Sequence, residues 1–572
     1  MDPFVLLDDA LAGRATLMTD LARVDSVTLG TIDASLDAGW REGLHAFAWL
    51  PYDMGEAALG IGGDARGALF WFADRSEVDA EEFLPHSPAW LTGTAHDVDR
   101  AQFSAGIEAV KEAIASGETY QVNYTHRILS RAVGDPRALY RRLRSRQPVS
   151  FGVLARLPEP AAPWTLSLSP ELFINVEGSH AVSKPMKGTA PVTEHPSTLS
   201  RDPKNRAENL MIVDLLRNDL SRVAVPGSVD VPMLFEVERV GRLWQMTSTV
   251  RAELVPGTTP GHLLAATFPC GSITGAPKIA SMHLIRALER DRRGLYTGSL
   301  GVIAPHDGPL GWHMTLSIAI RTVEIDGNTA RLGIGSGVVA DSTADAEWAE
   351  CRAKAAFAGS LLPTVHLREA IRVVDGVAPL ADRHQERLSR SAAALGLPPA
   401  TGVVHDAVRD APSRGGWRLS VDLAPDGVVT VGVSPLEAVA TPVRLILCGE
   451  PWEPTPLAGF KTTDRSHYDR ALAAAAERGA FDAIGFDSGG RVLEGARTSV
   501  FALLDGRWVT PPLTLGILDG VQRAAVLADP ALIGADEIDE AEFTVDRLLG
   551  AERLIVTNGL RGCLEATLET TE

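Results

Sequence analysis

The chain has 572 residues, 45% hydrophobic, 22% charged and 6% aromatic, and carries a formal net charge of −19. That length suggests roughly two to four domains, each able to bury a core without disulfides or structural metals. The acidic balance argues against a nucleic-acid partner, which would need clustered Lys and Arg, yet leaves room for a local basic pocket.

Four cysteines, Cys270, Cys351, Cys448 and Cys563, lie far apart with no CxxC pair, so neither a zinc site nor a disulfide framework is expected. Asp2, Asp8 and Asp9 flank the first apolar stretch, unlike a secretory signal. No apolar run approaches the roughly 20 residues that span a bilayer. The expectation is a cytoplasmic chain with no membrane partner.

In chain order, residues 1 to about 95 mix short apolar runs with Gly-rich turns. A helical pattern then runs from Phe103 through Ile107, Val110, Lys111 and Ile114 to Gly117. Strand-like runs follow ("SFGVLARL", "WTLSLSP", "ELFINVEG"), then a long helix over about 203–222 and another after Pro277. Two further strands, "HMTLSIAIRTVEI" and "TARLGIGSGVVA", precede a helix from about Ala344 to Ala358. The segment "GSLLPTVHL" reads as a junction. Beyond it come strand-like "AIRVVDGVAPL", a helix around 382–395 and a hairpin turning at Asp426-Gly427. The expected organisation is an N-terminal part over 1–100, a catalytic domain over 101–360 and a further domain over 361–572, all α+β.

Glu347, Glu350 and Lys354 fall at i, i+3 and i+7 and share one helix face. In "RAENLMIVDLLRNDLSR", Asp214, Arg217, Asn218, Asp219 and Arg222 interleave with the apolar stripe Leu210, Ile212, Val213, Leu215 and Leu216, predicting a buried polar network. The "GIGSG" run is not a dinucleotide fingerprint, because Val338 stands where the third Gly is needed and no P-loop Lys follows.

"AENLMIVDLLRNDLSR" (207–222), "PCGSITGAPK" (269–278), "GIGSGVVADS" (333–342) and "EWAECRAK" (347–354) resemble the chorismate-utilising enzymes, which include anthranilate, aminodeoxychorismate, isochorismate and salicylate synthases. The resemblance implies a large β-sandwich-like chorismate-binding domain with helices, and Mg²⁺ on Glu208, Glu347 and Glu350, oxygen ligands suited to a hard cation. It implies Glu171 of "SPELF" as general acid. Arg321, Tyr296, Lys354 and Thr189 would bind substrate, with backbone at Thr274, Gly275, Gly335 and Gly337. Gln121 of "GETYQVN" stands where water-adding members resemble one another in carrying Lys; an amide cannot act as base, which favours ammonia as nucleophile. Lys187 of "KPMKGT" stands where anthranilate synthases have Ala and aminodeoxychorismate synthases have Lys, a candidate for a covalent bond to the ring. Gln245 of "LWQMTST" replaces the family's usual His and cannot titrate. No cysteine sits on a Gly-x-Cys-x-Gly turn, so a separate glutaminase subunit is the expected ammonia source.

"RHQERLSRSAAALGL" (383–397), "GFKTTDRSHYDRA" (459–471), "VLEGARTSVFAL" (492–503), "GILDGVQR" (516–523) and "TNGLRG" (557–562) resemble fold-type IV pyridoxal phosphate (PLP) enzymes. By that resemblance Lys461 bonds the cofactor and moves protons, and Glu494 pairs with the pyridine nitrogen. Arg387, the amides of Val521 and Gln522, and Thr557 hold the phosphate. The joint implication is amination of chorismate to 4-amino-4-deoxychorismate, then elimination of pyruvate to give 4-aminobenzoate for folate supply, with a homodimer through the C-terminal domain. Two departures count against the second activity: the segment before "REAIRV" lacks the N-terminal strand and the "GDG" turn expected of the family, and Ala370 stands where lyases carry a small hydroxyl residue. The rivals are an anthranilate synthase large subunit and a synthase whose C-terminal half is only a structural module.

Overall fold

The computed structural model describes residues 2–240, 243–359, 361, 363–452, 455 and 457–569. It divides into two compact units, one of residues 1–87, 91–132 and 136–361, the other of 88–90, 133–135 and 362–572. Residues before 100 thus belong largely to the same compact body as 101–360.

The first unit is organised by a long antiparallel ladder. It runs from Asp230–Val240 through Leu243–Glu253, His180–Lys184, Leu172–Glu177, Trp312–Ile318 and Ser299–Pro305 to His45–Leu50. It continues through Gly67–Val78, Arg14–Val27, Phe4–Asp9, Phe151–Arg156, Trp164–Ser169, Thr322–Asp326 and Thr329–Val338 to Gln121–Gly134. Strand alternation assigns successive residues to opposite faces. Ala46, Ala48, Leu50, Leu69 and Trp71 pack with Ile212, Val213, Leu216, Leu263 and Leu264 of two helices. Phe47, Trp49, Phe70 and Phe72 enter a second core with Val5, Val153 and Ala155 from other strands of the same ladder. Both faces of the central strands are therefore dry, and the sheet folds back over its own core.

The expected helices appear as Arg100–Ala115, Pro203–Ser221, Lys278–Leu288 and Ala344–Ala355. Two expectations need correction. "HMTLSIAIRTVEI" forms two strands, Trp312–Ile318 and Thr322–Asp326, because Arg321 adopts a left-handed φ of 50° and breaks the ladder. The polar network in Pro203–Ser221 is also smaller than predicted. Asn209 and Asp219 are buried, whereas Asp214 and Arg217 form an exposed i,i+3 pair and Leu210 is 53% exposed. The buried stripe is Ile212, Val213, Leu216 and Leu220, and only polar residues on that side lose water.

In the second unit, Leu367–Val374, Gly416–Leu423 and Val429–Pro435 form an antiparallel sheet. Its expected hairpin turns with Gly427 at φ 89° and Val428 N donating to Asp426 Oδ1. A mixed eight-stranded sheet follows, ordered Val492–Gly495, Asp482–Phe486, Val443–Leu447, Gly562–Leu568, Arg553–Asn558, Ser499–Leu504, Arg507–Thr510 and Ile538–Glu540. Among the described residues, no helix is long and apolar enough to cross a membrane.

One buried ion pair ties Pro203–Ser221 to Lys278–Leu288. Lys278 Nζ lies 2.6 Å from Asp219 Oδ2 and also donates to Thr267 O at 3.1 Å. Asp219→Ala leaves that ammonium, 13% exposed, without its carboxylate and should cost about 3–5 kcal/mol. Asp214→Ala, five residues away in an exposed pair, should stay within about 0.5 kcal/mol. Urea unfolding followed by tryptophan fluorescence measures both.

Candidate active sites

A cavity of about 500 Å³ opens in the first unit. Glu171 follows Pro170 at the start of strand Leu172–Glu177, 3% exposed, its Oε1 accepting from Ser272 Oγ at 2.7 Å and Met186 N at 3.4 Å. Burial pushes its carboxyl up to about 7 against those bonds and against Lys187. Arg321, turned inward by its unusual φ, is drawn down to about 10 by burial, with Glu171 opposing. Lys354 is placed by helix Ala344–Ala355 and bonds Glu350 Oε1 at 2.7 Å and Gly335 O at 2.9 Å.

Lys187, Glu208, Tyr296, Arg321, Gly335, Glu350 and Lys354 line this cavity together with Glu171. Gln121, Gln245, Thr274, Gly275, Gly337 and Glu347 do not. Gln121 and Gly337 lie directly behind Lys187: a Cβ added to Gly337 would sit 2.5 Å from Lys187 Nζ and 2.6 Å from Gln121 Nε2. Gln245 is buried on strand Leu243–Glu253 with neither side-chain polar atom partnered. The Thr274 hydroxyl donates to carbonyls at its own turn, Cys270 O and Gly271 O. Gly275 pairs with Val122 at a point where a Cβ would lie 2.5 Å from Ser281 Oγ. The side chain of Thr189 lies outside the described residues; its backbone pairs with Gln245.

The expected metal trio is not drawn together around one point. Among the described residues, no three His, Cys, Asp or Glu side chains are arranged to enclose an ion. Glu208 and Glu350 face the cavity, but Lys354 already engages Glu350, and Glu347 is buried outside the lining with Oε2 unpartnered. The chemistry of the set still suits a hard cation. Burial raises the Glu208 carboxyl, Lys187 and Lys204 oppose this, and the negative charges of Glu350 and Glu347 raise it further. Lys204, Asn205, Asn123 and Ser272 line the cavity without having been singled out from sequence. Lys204 had a signal, standing four residues before Glu208 on one helix face.

The second unit holds a cavity of about 400 Å³ lined by all six residues expected there: Arg387, Lys461, Glu494, Val521, Gln522 and Thr557. Burial, with Arg387 next, draws the Lys461 amine down to about 8. Burial pushes Glu494 up to about 7 while its Oε1 accepts from Tyr468 OH at 2.7 Å and Leu518 N at 3.2 Å. Val521 opens the helix Val521–Ala528, so its first amides are free of intrahelical partners.

Arg387 is less available than expected. Its Nε and Nη2 grip Glu369 at 2.9 and 2.5 Å, and Nη1 donates to Asp519 O at 3.0 Å. Burial alone would raise Glu369, but Arg387 and His384 hold it near 2. Among the described residues, the buried unpartnered polar atoms of the lining are His384 Nε2, Arg523 Nε and Thr557 Oγ1. Thr557 Oγ1, His384 Nε2, the helix-start amides and the remaining Arg387 N–H groups belong to residues lining one cavity and are of the types that bond a phosphate. His384, Arg465 and Tyr468 were not anticipated; Ala370 lines the cavity, as its position implied.

Residues 69–359 match the family model of chorismate binding enzymes, and residues 366–568 that of class IV aminotransferases. The chain is 40% identical over 294 residues to aminodeoxychorismate synthase component 1 of Salmonella typhimurium, covering 50% of this chain and 62% of that one. It is 37% identical over 262 residues to an anthranilate synthase component 1 of Haloarcula marismortui, covering 45% of this chain and 50% of that one. The chain thus spans between half and three-fifths of these relatives. The fold of anthranilate synthase component I from Streptococcus pneumoniae superposes with a TM-score of 0.52 at 24% identity, over 60% of this chain and 92% of that one.

Glu171 should titrate near pH 7 by ¹³C-carboxyl NMR of labelled chain. Ser272→Ala removes a bond to the charged form and should move the midpoint higher. Because this carboxyl is raised above its unfolded value, its contribution to stability is present at acid pH and is lost as pH rises through about 7.

Proposed function

The chain belongs to the chorismate-binding enzyme family, and from that premise we propose that its first unit aminates chorismate to 4-amino-4-deoxychorismate. The observation that supports this reading most is the company of Lys187. The amine lines one cavity with a carboxyl titrating near 7, Glu171, and with two cations, Arg321 and Lys354.

Arg321, Lys354 and Tyr296 would hold the substrate's two carboxylates and fix the ring against Lys187. Glu208, Glu350 and Glu347 would hold Mg²⁺, which supplies charge stabilisation at the ring carboxylate. Lys187 Nζ, as free amine, forms a C–N bond to a ring carbon remote from the hydroxyl. The ring C–O bond breaks, and the hydroxyl departs as water with the proton of Glu171. Ammonia then bonds the carbon that lost the hydroxyl, the bond to Nζ breaks, and Lys187 returns as an amine. Lys187 argues against the anthranilate reading, in which ammonia adds directly.

The ammonia would come from a separate glutaminase chain. A glutaminase nucleophile must be a thiolate near neutral pH. Burial instead pushes Cys270, Cys351 and Cys448 up to about 12 and raises Cys563 as well.

For the second unit we propose PLP-dependent elimination of pyruvate from the first product, giving 4-aminobenzoate, in a homodimer formed through this unit. Lys461, Glu494, the amides of Val521 and Gln522, Thr557 and His384 would hold the cofactor, which supplies an electron sink. Lys461, at about 8, is basic enough to take the ring C4 proton and weak enough to release it near neutral pH. Glu494, braced by Tyr468, would face the pyridine nitrogen. The engagement of Arg387 by Glu369, together with Ala370, favours one alternative, a structural module without turnover.

Chorismate, Mg²⁺ and ammonium with the purified chain should yield 4-amino-4-deoxychorismate, and added PLP should convert it to 4-aminobenzoate and pyruvate. Glu171→Gln should slow the first reaction about a hundredfold to ten-thousandfold. Lys187→Ala should suppress it, and omitting ammonia should leave an adduct on the Lys187 peptide; an undiminished 4-amino product from Lys187→Ala defeats the covalent route.

The chain should also take up PLP with a visible absorbance band that Lys461→Ala lacks, while that variant still aminates chorismate. A chain that stays colourless with excess PLP moves the second unit to the structural alternative.

A further inference from the structure

Strand Thr329–Val338 presents glycine at every second position, Gly333, Gly335 and Gly337, paired with Arg127, Thr125 and Asn123 of the neighbouring strand. None of the three has a left-handed φ, so backbone conformation does not call for glycine here. Space does. A Cβ on Gly333 would lie 2.1 Å from Tyr296 Cγ and 2.4 and 2.5 Å from its two Cδ atoms, and one on Gly335 would lie 2.6 Å from the Thr125 methyl and 2.7 Å from Tyr124 O. At Gly337 the neighbours are of another kind: Lys187 Nζ at 2.5 Å and Gln121 Nε2 at 2.6 Å, both far ends of flexible side chains.

We propose that Gly337 positions Lys187 for reaction: the bare backbone lets the amine lie against the strand, and any side chain there would push it off line. The inference rests on the amination reading above, because only a reacting amine makes its placement matter. Rings and backbone cannot yield without disturbing the sheet, but a lysine amine can. A methyl group at 337 should therefore be accommodated by moving Nζ and the Gln121 amide end about 1 Å, and a misplacement of that size costs about a hundredfold in rate. Gln121 strengthens the case. It is fully buried, neither its Oε1 nor its Nε2 has a partner, and it abuts the same point. Its amide is thus an unspent hydrogen-bonding group beside Nζ, and a Cβ at 337 would part the two.

A role confined to the Gly337 backbone amide makes the opposite forecast, since alanine keeps that amide. The test compares wild type, Gly337→Ala, Lys187→Ala and the double variant for melting temperature, chorismate KM, kcat to 4-amino product and the ammonia-free adduct. Expected for Gly337→Ala are an unchanged melting temperature and KM, a kcat lower by about a hundredfold and a missing adduct. In the Lys187→Ala background the same change should cost nothing further, because its effect passes through Lys187. A wild-type rate, a large fall in melting temperature, or an equal loss in both backgrounds overturns the proposal. If the wild type makes no 4-amino product at all, the amination reading fails instead.

Discussion

Removing an ionisable group from water costs several kcal/mol unless a partner replaces the lost hydration, and the group otherwise shifts toward its neutral form. Both cavities depend on that shift being left incomplete. Glu171 and Glu494 keep enough hydrogen bonds to remain ionisable, yet burial still brings each to about 7. Lys461 is brought to about 8 by the same desolvation, with Arg387 adding like-charge repulsion. Glu369 shows the opposite outcome: as deeply buried, but gripped by Arg387 and His384, it stays near 2 and has no proton to give. The number of cations within bonding distance separates an anchoring carboxylate from a proton donor.

The scaffold explains how such groups are held. In the first unit the central strands are dry on both faces, so neighbouring elements have little freedom to shift. Helix Pro203–Ser221 packs on one of those faces through Ile212, Val213 and Leu216, which fixes the turn carrying Lys204 and Glu208. The break at Arg321 serves the same end. A residue in the left-handed region leaves the ladder, and its guanidinium enters the cavity instead of a sheet face. Strain of this kind, of order 1–3 kcal/mol, persists where the surroundings determine it, as they do between two anchored strands.

Much of this was legible in the sequence, and the failures follow one pattern. Helix Arg100–Ala115 and the hairpin around Gly427 were readable because apolar period and turn chemistry are local. Six of the residues that line the second cavity were named from sequence because ordered motifs carried them together. The misses are all matters of relative position. Apolar period alone could not place a strand break at Arg321, since "SIAIRTVEI" alternates smoothly through it. Nor could it show that Asp214 faces water while Asp219 does not, because helix orientation is set by the sheet beneath. Arg387 matched its motif, but its engagement by Glu369 depends on a strand eighteen residues earlier.

The choice between hydration and amination turns on which bases stand next to the ring. Hydration needs a group that takes a proton from water, and the two glutamines nearest in role, Gln121 and Gln245, are amides too weakly basic to accept one. Both are buried with unpartnered amides, and the Lys187 amine beside Gln121 does not turn an amide into a base. Among the titratable groups lining the cavity, Glu171 is pushed up to about 7 by burial and so can carry a proton near neutral pH and give it up. Without a base from either glutamine, the site suits a nucleophile that attacks without first losing a proton, as ammonia does. In the amination proposed above, Lys187 would be the first such nucleophile and ammonia the second, and Glu171 would give its proton to the leaving hydroxyl.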